Sequence, residues 1–379
     1  MKVLYVAHCT DMSGANKSLV QLIVELRDNY GVEPFVLYPV VGQNEEWSIA
    51  DALKENHIEG LSHKLICFQR KEHSFLFKLY FLIRGTMFLL QILYHLRGKH
   101  FDLVHSNSSV IDTGLYIAKA KNAPHLWHFR EVASLSFNYK SILGEKYQRF
   151  VYHHSDKVIA ISNNVKKEFG DLIPQEKTLV IPNGIKPPYV KVFPNHYSDV
   201  VNVCIIGRLE ENKNQMEAVK AFMLLPDEFK DKVKLHIIGD ASSSYGVALK
   251  KYVEDNGLES SVTVYGVRND VNEFLQNMNI GLMLSKHEAF GRVTVEYMMH
   301  KLCVIASNTS ANTEIIRDGE NGYLYEFGNA KLLAEKIESL VNNREIMKTL
   351  SHVGYTDAMA NYVSSINSSR VHQVYKEMG

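Results

Sequence analysis

Cysteine is scarce: the 379 residues hold four, Cys9, Cys67, Cys204 and Cys303, far apart and without a Cys-x-x-Cys pair. That spacing excludes a disulfide framework and a zinc site, and the thiols read as small buried hydrophobes of a reducing compartment. An excess of charge of either sign is also missing, since 42 Lys and Arg balance 42 Asp and Glu. A dedicated nucleic-acid binder would carry a basic surplus, so no nucleic-acid partner is expected. Asp-x-Asp occurs nowhere, which removes the clustered carboxylates of one common metal site; no metal and no cofactor are expected. Met1-Lys2-Val3-Leu4 runs straight into a strand and leaves no room for a signal peptide, so the expected location is cytoplasmic. Proline is rare, with nine in all, and four of them fall between Ile181 and Ser198. That stretch has no hydrophobic periodicity and reads as a linker.

What is present is ordinary soluble-protein material, 46% apolar and 22% charged, in a chain longer than one core usually organises. Short apolar runs at Val3–Ala7, Val32–Tyr38, Asp102–His105, His125–Phe129 and Lys157–Ile161 alternate with helical patterns. After the linker the alternation restarts at Val201–Ile206, Lys234–Ile238, Val262–Tyr265, Ile280–Leu284 and Cys303–Ala306. Such alternation indicates parallel sheets covered on both faces. The expected fold class is α/β, with two Rossmann-like doubly wound parallel-sheet domains. Their boundaries are expected at 1–190 and 199–358, with 359–379 as a final helix.

The stretch Ser285–Gly322 carries most of the chemistry. Glu288 and Glu296 stand eight residues apart, one in the loop leaving a strand and one inside the next helix. Ala289-Phe290-Gly291 forms a small corner between them, where a ligand can meet backbone amides. A helix N-terminus offers unpaired N–H groups to a phosphate or polyol, and each ionised carboxylate can accept two hydroxyl protons. Downstream follow Val304-Ile305-Ala306-Ser307, Glu314-Ile315-Ile316 and Asn321-Gly322. This ordered series resembles the signature of retaining glycosyltransferases of family 4. The resemblance is close from about Val201 to Phe327 and thin before Asp102.

The resemblance implies the GT-B architecture, two Rossmann-like domains facing across a cleft, with the last helix crossing back to the first domain. It implies that Arg208 and Lys213, after the Val203–Gly207 strand end, hold the diphosphate of a nucleotide-sugar donor. A planar fork and a point charge there would meet the negative charge that grows as the anomeric bond breaks. Glu296 is then expected on the ribose diol and Glu288 on hydroxyls of the transferred sugar. The backbone of Ala289, Phe290 and Gly291 is expected against sugar and phosphate, and Gly239 and Val267 near the base. In the first domain, Ser13-Gly14-Ala15 resembles the family's Gly-Gly loop beside the diphosphate, with Ser in place of the first Gly. His128, in HLWHFRE, matches a family histidine placed against the transferred sugar; Arg130 and Glu131 follow it. Arg292 departs from the apolar residue usual at its position.

The expected activity is metal-independent transfer of a hexosyl-type sugar, with retention, from a nucleotide-diphosphate sugar to a glycan or lipid-linked acceptor. A UDP-sugar is favoured over a GDP-sugar, and the setting is bacterial surface-polysaccharide assembly. Two alternatives share the site: a GT-B sugar-nucleotide epimerase and a non-catalytic sugar-nucleotide-binding protein. A further expectation is peripheral contact with anionic membrane, at the inner face of the plasma membrane, through residues 61–101. Seven basic residues (Lys64, Arg70, Lys71, Lys78, Arg84, Arg97, Lys99) stand there against one acid, Glu72, around SFLFKLYFLIRGTMFLLQILYHLR. A spanning segment is not expected: Lys78 and Arg84 interrupt the run, and the charge-free piece Gly85–Leu96 has 12 residues where ~20 are needed. Arg84, Gln91 and His95 share one helical face and leave the rest apolar, as an interfacial helix requires.

Overall fold

The computed structural model describes residues 1–379 except 43–46, 72–73, 190–193 and 195–197. The chain forms two compact units, Met1–Lys186 with Ser364–Gly379, and Pro187–Val363. In the first unit, β1 (Lys2–Val6), β2 (Glu33–Pro39), β3 (Glu59–His63), β5 (Leu103–Ser106), β6 (His125–Phe129), β8 (Lys157–Ala160) and β9 (Thr178–Val180) form one parallel sheet. Its order is β3-β2-β1-β5-β6-β8-β9, and β4 (Gln69–Arg70) pairs antiparallel with β7 (Lys140–Ser141) beside it. In the second unit, β10 (Val201–Ile206), β11 (Val233–Ile238), β12 (Val262–Val264), β13 (Ile280–Met283), β14 (Cys303–Ser307) and β15 (Tyr323–Tyr325) form a parallel sheet. Its order is β12-β11-β10-β13-β14-β15. Both are doubly wound: chain order reverses at β1 and at β10, and ligands of such sheets sit at the carboxyl ends beside that reversal.

The central strands are buried on both faces, which is why they read as continuous apolar runs. The strands absent from the sequence reading are edges or short pieces. β3 is EGLSH with no fully buried residue, and β9 and β15 have three residues each, too few to show a period of two.

The helix Ser364–Met378 lies in the first unit, where Val371, Val374 and Tyr375 join the core that holds Leu19, Ile23 and Leu26 of the helix Gly14–Tyr30. The preceding helix, Arg344–Asn361, belongs to the second unit. The expected linker starts late. Ile181 donates its N–H to Ala160 O at 3.0 Å, Ile181, Asn183 and Ile185 are buried, and the units divide after Lys186. Part of the rest of that stretch, and Glu72 of the basic segment, lie outside the described residues.

The apolar segment is one helix of 21 residues, Phe75–His95, capped by Ser74 Oγ accepting from Phe77 N at 3.2 Å. The charge-free piece Gly85–Leu96 is thus part of a longer helix that includes Lys78 and Arg84. Among the described residues, Leu76–His95 is the one helix long and apolar enough to cross a membrane. Charge does not end a helix, because Lys and Arg are good helix formers. The carboxyl half, through Leu89, Ile92 and Leu93, packs against Leu4, Val6, Leu37 and Val104 of the sheet.

Candidate active site

The site in the second unit is assembled by loops at the carboxyl edge of β10 and β13. After β10 the chain turns through Arg208 into a short 3-10 turn, Glu211–Lys213, and the helix Gln215–Met223. Asn214 joins them at φ 54, a left-handed conformation that asparagine tolerates better than most residues. Asn212 ties this turn to the loop after β13. Its side-chain nitrogen donates to His287 O at 3.0 Å, its Oδ1 accepts from His287 N at 3.0 Å, and its carbonyl accepts from Lys286 N at 2.9 Å. Below, Ser307 and Thr309 hydroxyls each donate to Ser285 O at 2.8 Å.

The braced loops bring Lys213 and Glu288 together, Nζ to Oε2 at 2.7 Å, with side chains 24% and 15% exposed. The other oxygen of Glu288 accepts from Gly291 N at 3.2 Å. Gly291 sits at φ 85 as N-cap of the helix Arg292–Met299, a conformation that a side chain would strain. One turn on, Arg292 Nη2 lies 3.5 Å from Glu296 Oε1, the side chains 17% and 32% exposed. Arg292 is therefore mostly buried and paired, which settles the departure noted in the sequence: it is not a surface group. Burial lowers its pKa, and Glu296 opposes that shift. Two cations and two carboxylates thus surround one helix N-terminus, each cation matched to an acid.

Other expected residues are placed differently. Arg208 is 68% exposed and lies 3.9 Å from Glu210, outside the Lys213–Glu288 contact. The Phe290 ring is buried against Tyr362, centroids 5.7 Å apart, so only its backbone could meet a ligand. Gly239 has a packing reason of its own, because a Cβ there would lie 2.0 Å from Gly207 O. Its N–H donates to Gly266 O at 3.0 Å, and Val267 beyond is 73% exposed. Asn321 and Gly322 are structural: Asn321 holds Ile315 O and Asp357, and a Cβ on Gly322 would meet Val304 O at 2.8 Å. Among the described residues no group of three or more His, Cys, Asp or Glu could hold a metal ion.

The first unit presents a different polar cluster at the carboxyl edge of β5 and β6. His128 is fully buried, and its Nδ1 shares a hydrogen bond with His105 Nε2 at 3.2 Å. His105 Nδ1 shares another with the Tyr375 hydroxyl at 2.6 Å, which in turn donates to Tyr5 at 3.3 Å. His128 Nε2 is enclosed without a partner. Burial holds both imidazoles well below their usual pKa, with Arg130 adding to it. Each is therefore neutral and carries one ring proton, so the chain of contacts links the tautomer of His128 to Tyr375, 247 residues later in sequence. Arg130 donates to Asn107 at 2.9 Å and to Asn183, while Glu131 accepts from Ser108 and Ser109. Both are thus held by their own unit. Gly14 is exposed at the start of the helix Gly14–Tyr30, whose Asn16 clasps the preceding loop through Cys9 O and Asp11 O.

Asn212, His105 and Tyr375 escaped the sequence reading. A loop asparagine carries no local signal, and the His105–Tyr375 contact joins residues 270 apart.

Comparison with known proteins bears on the family and the fold. The model described as "Glycosyl transferases group 1" matches residues 191–357, and "Glycosyltransferase Family 4" matches residues 12–187. The chain is 25% identical over 232 residues to the capsular polysaccharide biosynthesis glycosyltransferase CapM of Staphylococcus aureus, covering 58% of this chain and 60% of CapM. It is 27% identical over 263 residues to the uncharacterized glycosyltransferase MJ1178 of Methanocaldococcus jannaschii, covering 68% and 71%. In fold it is similar over the full length of both chains to HepE of Anabaena, solved with UDP and glucose, at a TM-score of 0.81 and 19% identity. Two parallel Rossmann-like sheets, the two family matches and these relatives lead to one assignment: the chain belongs to the glycosyltransferases of the family-4 type, with the GT-B fold.

Proposed function

We propose that the protein transfers a hexosyl-type sugar, with retention and without a metal, from a nucleotide-diphosphate sugar to a glycan or lipid-linked acceptor in bacterial surface-polysaccharide assembly. The observation that carries this reading is the Lys213–Glu288 and Arg292–Glu296 pairing around the N-terminus of the helix Arg292–Met299. Within each pair the charges neutralise one another. A diphosphate competes for Lys213, and the Glu288 oxygens then become acceptors for sugar hydroxyls. Arg208, exposed beside Glu210, is assigned to the same phosphates, with Gly291 offering a backbone contact; the family resemblance extends that role to Gly14 of the first unit. Glu296 takes the ribose diol. Lys213 and Arg208 would stabilise the charge that develops on the leaving diphosphate, the term usually largest in such catalysis. Gly239 and Val267 flank the base, and UDP is favoured because HepE was solved with UDP and glucose. His128, neutral and with one ring nitrogen unpartnered, hydrogen-bonds a hydroxyl of the transferred sugar.

A thermal-shift panel of uridine, guanosine and adenosine diphosphates and their sugars tests the donor, since a ligand bound only by the native state raises its midpoint. Slow release of free sugar and nucleoside diphosphate without acceptor supports a transferase. An isomeric donor would mark an epimerase, and binding without turnover would mark a binding protein.

The acceptor side includes a membrane contact, made by a cytoplasmic protein at the inner face of the plasma membrane. The helix Phe75–His95 buries Phe81 and Ile92, yet its opposite face exposes Leu76, Leu79, Tyr80, Ile83, Leu90 and Tyr94. A surface helix ordinarily turns polar residues outward, and contiguous apolar exposure marks an interaction site. Arg84, Gln91 and His95 flank that face, as the sequence placed them. Co-flotation with phosphatidylglycerol liposomes at low salt, reversed at high salt, supports the contact; protein remaining in the soluble fraction at low salt overturns it.

A further inference from the structure

A cavity of about 240 Å³ lies in the first unit, beneath the helix Phe75–His95. Ile66, Phe81, Phe88, Leu89, Ile92 and Leu143 give it apolar walls. Its polar groups converge: Tyr147 donates to Asp112 Oδ2, and Tyr116 and Tyr147 hydroxyls lie 2.9 Å apart. Lys64 also lines it. Leu82 belongs both to the wall and to the exposed part of the helix, so the cavity opens beside the exposed apolar face.

Gly85 is the second observation. Glycine in a helix interior is unfavourable relative to alanine, which raises the question of a packing reason for Gly85. Packing supplies none here: a Cβ on Gly85 would meet nothing within 4 Å. The space it leaves is part of the cavity. What the glycine does is keep that volume open.

We propose that this cavity receives the hydrocarbon chain of the acceptor, an amphiphile whose chain lies along Phe81, Gly85, Leu89 and Ile92 while its hydroxylated head meets Asp112, Tyr116 and Tyr147. Apolar walls with a few converging polar groups are the usual make-up of a small-molecule site. A purely structural tyrosine–carboxylate cluster would need neither the volume nor the glycine. The acceptor role rests on the transferase reading; the chain site itself does not.

Gly85→Leu fills the volume from a position where its Cβ meets no neighbour, and it removes an unfavourable helix residue, so folding should survive. Gly85→Ala occupies less of the space and serves as the milder variant. Binding of octyl β-D-glucoside, below its micellar concentration, is compared with that of methyl β-D-glucoside by calorimetry on the full chain. UDP binding by thermal shift is followed in parallel. The wild type should bind the octyl glycoside at least tenfold more tightly than the methyl one. Gly85→Leu should abolish that preference, Gly85→Ala should reduce it, and UDP binding should be unchanged in both. Equal affinity for the two glycosides in the wild type overturns the proposal. So does an octyl preference that survives Gly85→Leu but falls when Leu76, Leu79 and Ile83 become Ser, because the chain then sits on the exposed face. If UDP and its sugars neither bind nor turn over while the Gly85 effect persists, the transferase reading fails and the hydrocarbon site stands.

Discussion

The two sheets end in polar clusters of opposite character. In the second unit, Lys213, Glu288, Arg292 and Glu296 are charged, paired and partly open to solvent. In the first, His105, His128, Tyr5 and Tyr375 are fully buried, neutral and linked in series. Solvent access decides the difference. The two ion pairs are mostly buried yet reach solvent, so the charged cluster can exchange partners with an incoming anion. Buried polar groups that lose a partner destabilise the fold. The first cluster therefore ties the placement of His128 to the stability of its unit, and the second is the one open to exchange.

The largest effects on turnover should come from the charged cluster. Lys213→Ala or Glu296→Ala is expected to cost about 2–4 kcal/mol of transition-state stabilisation, a hundredfold or more in kcat/KM. Lys213→Ala should keep its melting temperature, because Glu288 retains the Gly291 N–H, whereas Glu296→Ala strips the mostly buried Arg292 of that carboxylate and should lower it. Near-native turnover in both variants would break the assignment.

The next prediction concerns a buried acid of the first unit. Burial pushes the Asp112 carboxyl up from 3.8 to about 6, against the hydrogen bond from Tyr147. Between these values the folded state holds a proton that the unfolded chain has released. The contribution is thus fully present below about pH 4 and is lost as pH rises through about 6. Two units correspond to about 3 kcal/mol at most. Denaturant unfolding of Asp112→Asn across pH 4 to 7 should show this loss removed relative to the wild type. The buried histidines tilt the other way, their pKa values being depressed, so the difference between the two proteins is the quantity to read. Parallel pH curves would refute the shift.

A smaller effect sharpens the comparison from the histidine side. Tyr375→Phe leaves His105 Nδ1 without its hydroxyl partner and should cost about 1–3 kcal/mol of stability. Unlike Lys213→Ala, it should move the melting temperature and turnover together, turnover falling through the orientation of His128. A stability loss with unchanged kcat would make Tyr375 a packing residue only. The smallest expected effect is none: turnover should persist in excess EDTA. Loss on chelation and recovery with manganese would mean that the cations of the second unit do not suffice.

Much of the fold was legible because central parallel strands are buried on both faces. VNVCII and HLWHF read as strands with the bounds that the structure gives them. The residues of the charged site were legible in part, since Lys213 and Glu288 follow predictable strand ends and Glu296 lies in the helix that comes next. The sequence could not show that Lys213 pairs with Glu288 and Arg292 with Glu296, nor that Arg208 stands apart. Those outcomes depend on Asn212 bracing two loops 75 residues apart.

The sequence by itself determined the alternation of strands and helices, the balance of charge and the spacing of the two glutamates. These are local properties, set by burial pattern and by chain order. Tertiary structure alone decided that His128 is enclosed and linked through His105 to Tyr375. It also decided that the helix Phe75–His95 turns apolar side chains outward and leaves a cavity beside Gly85. Periodicity says which side chains share a face, but only packing against the rest of the chain says which face is covered.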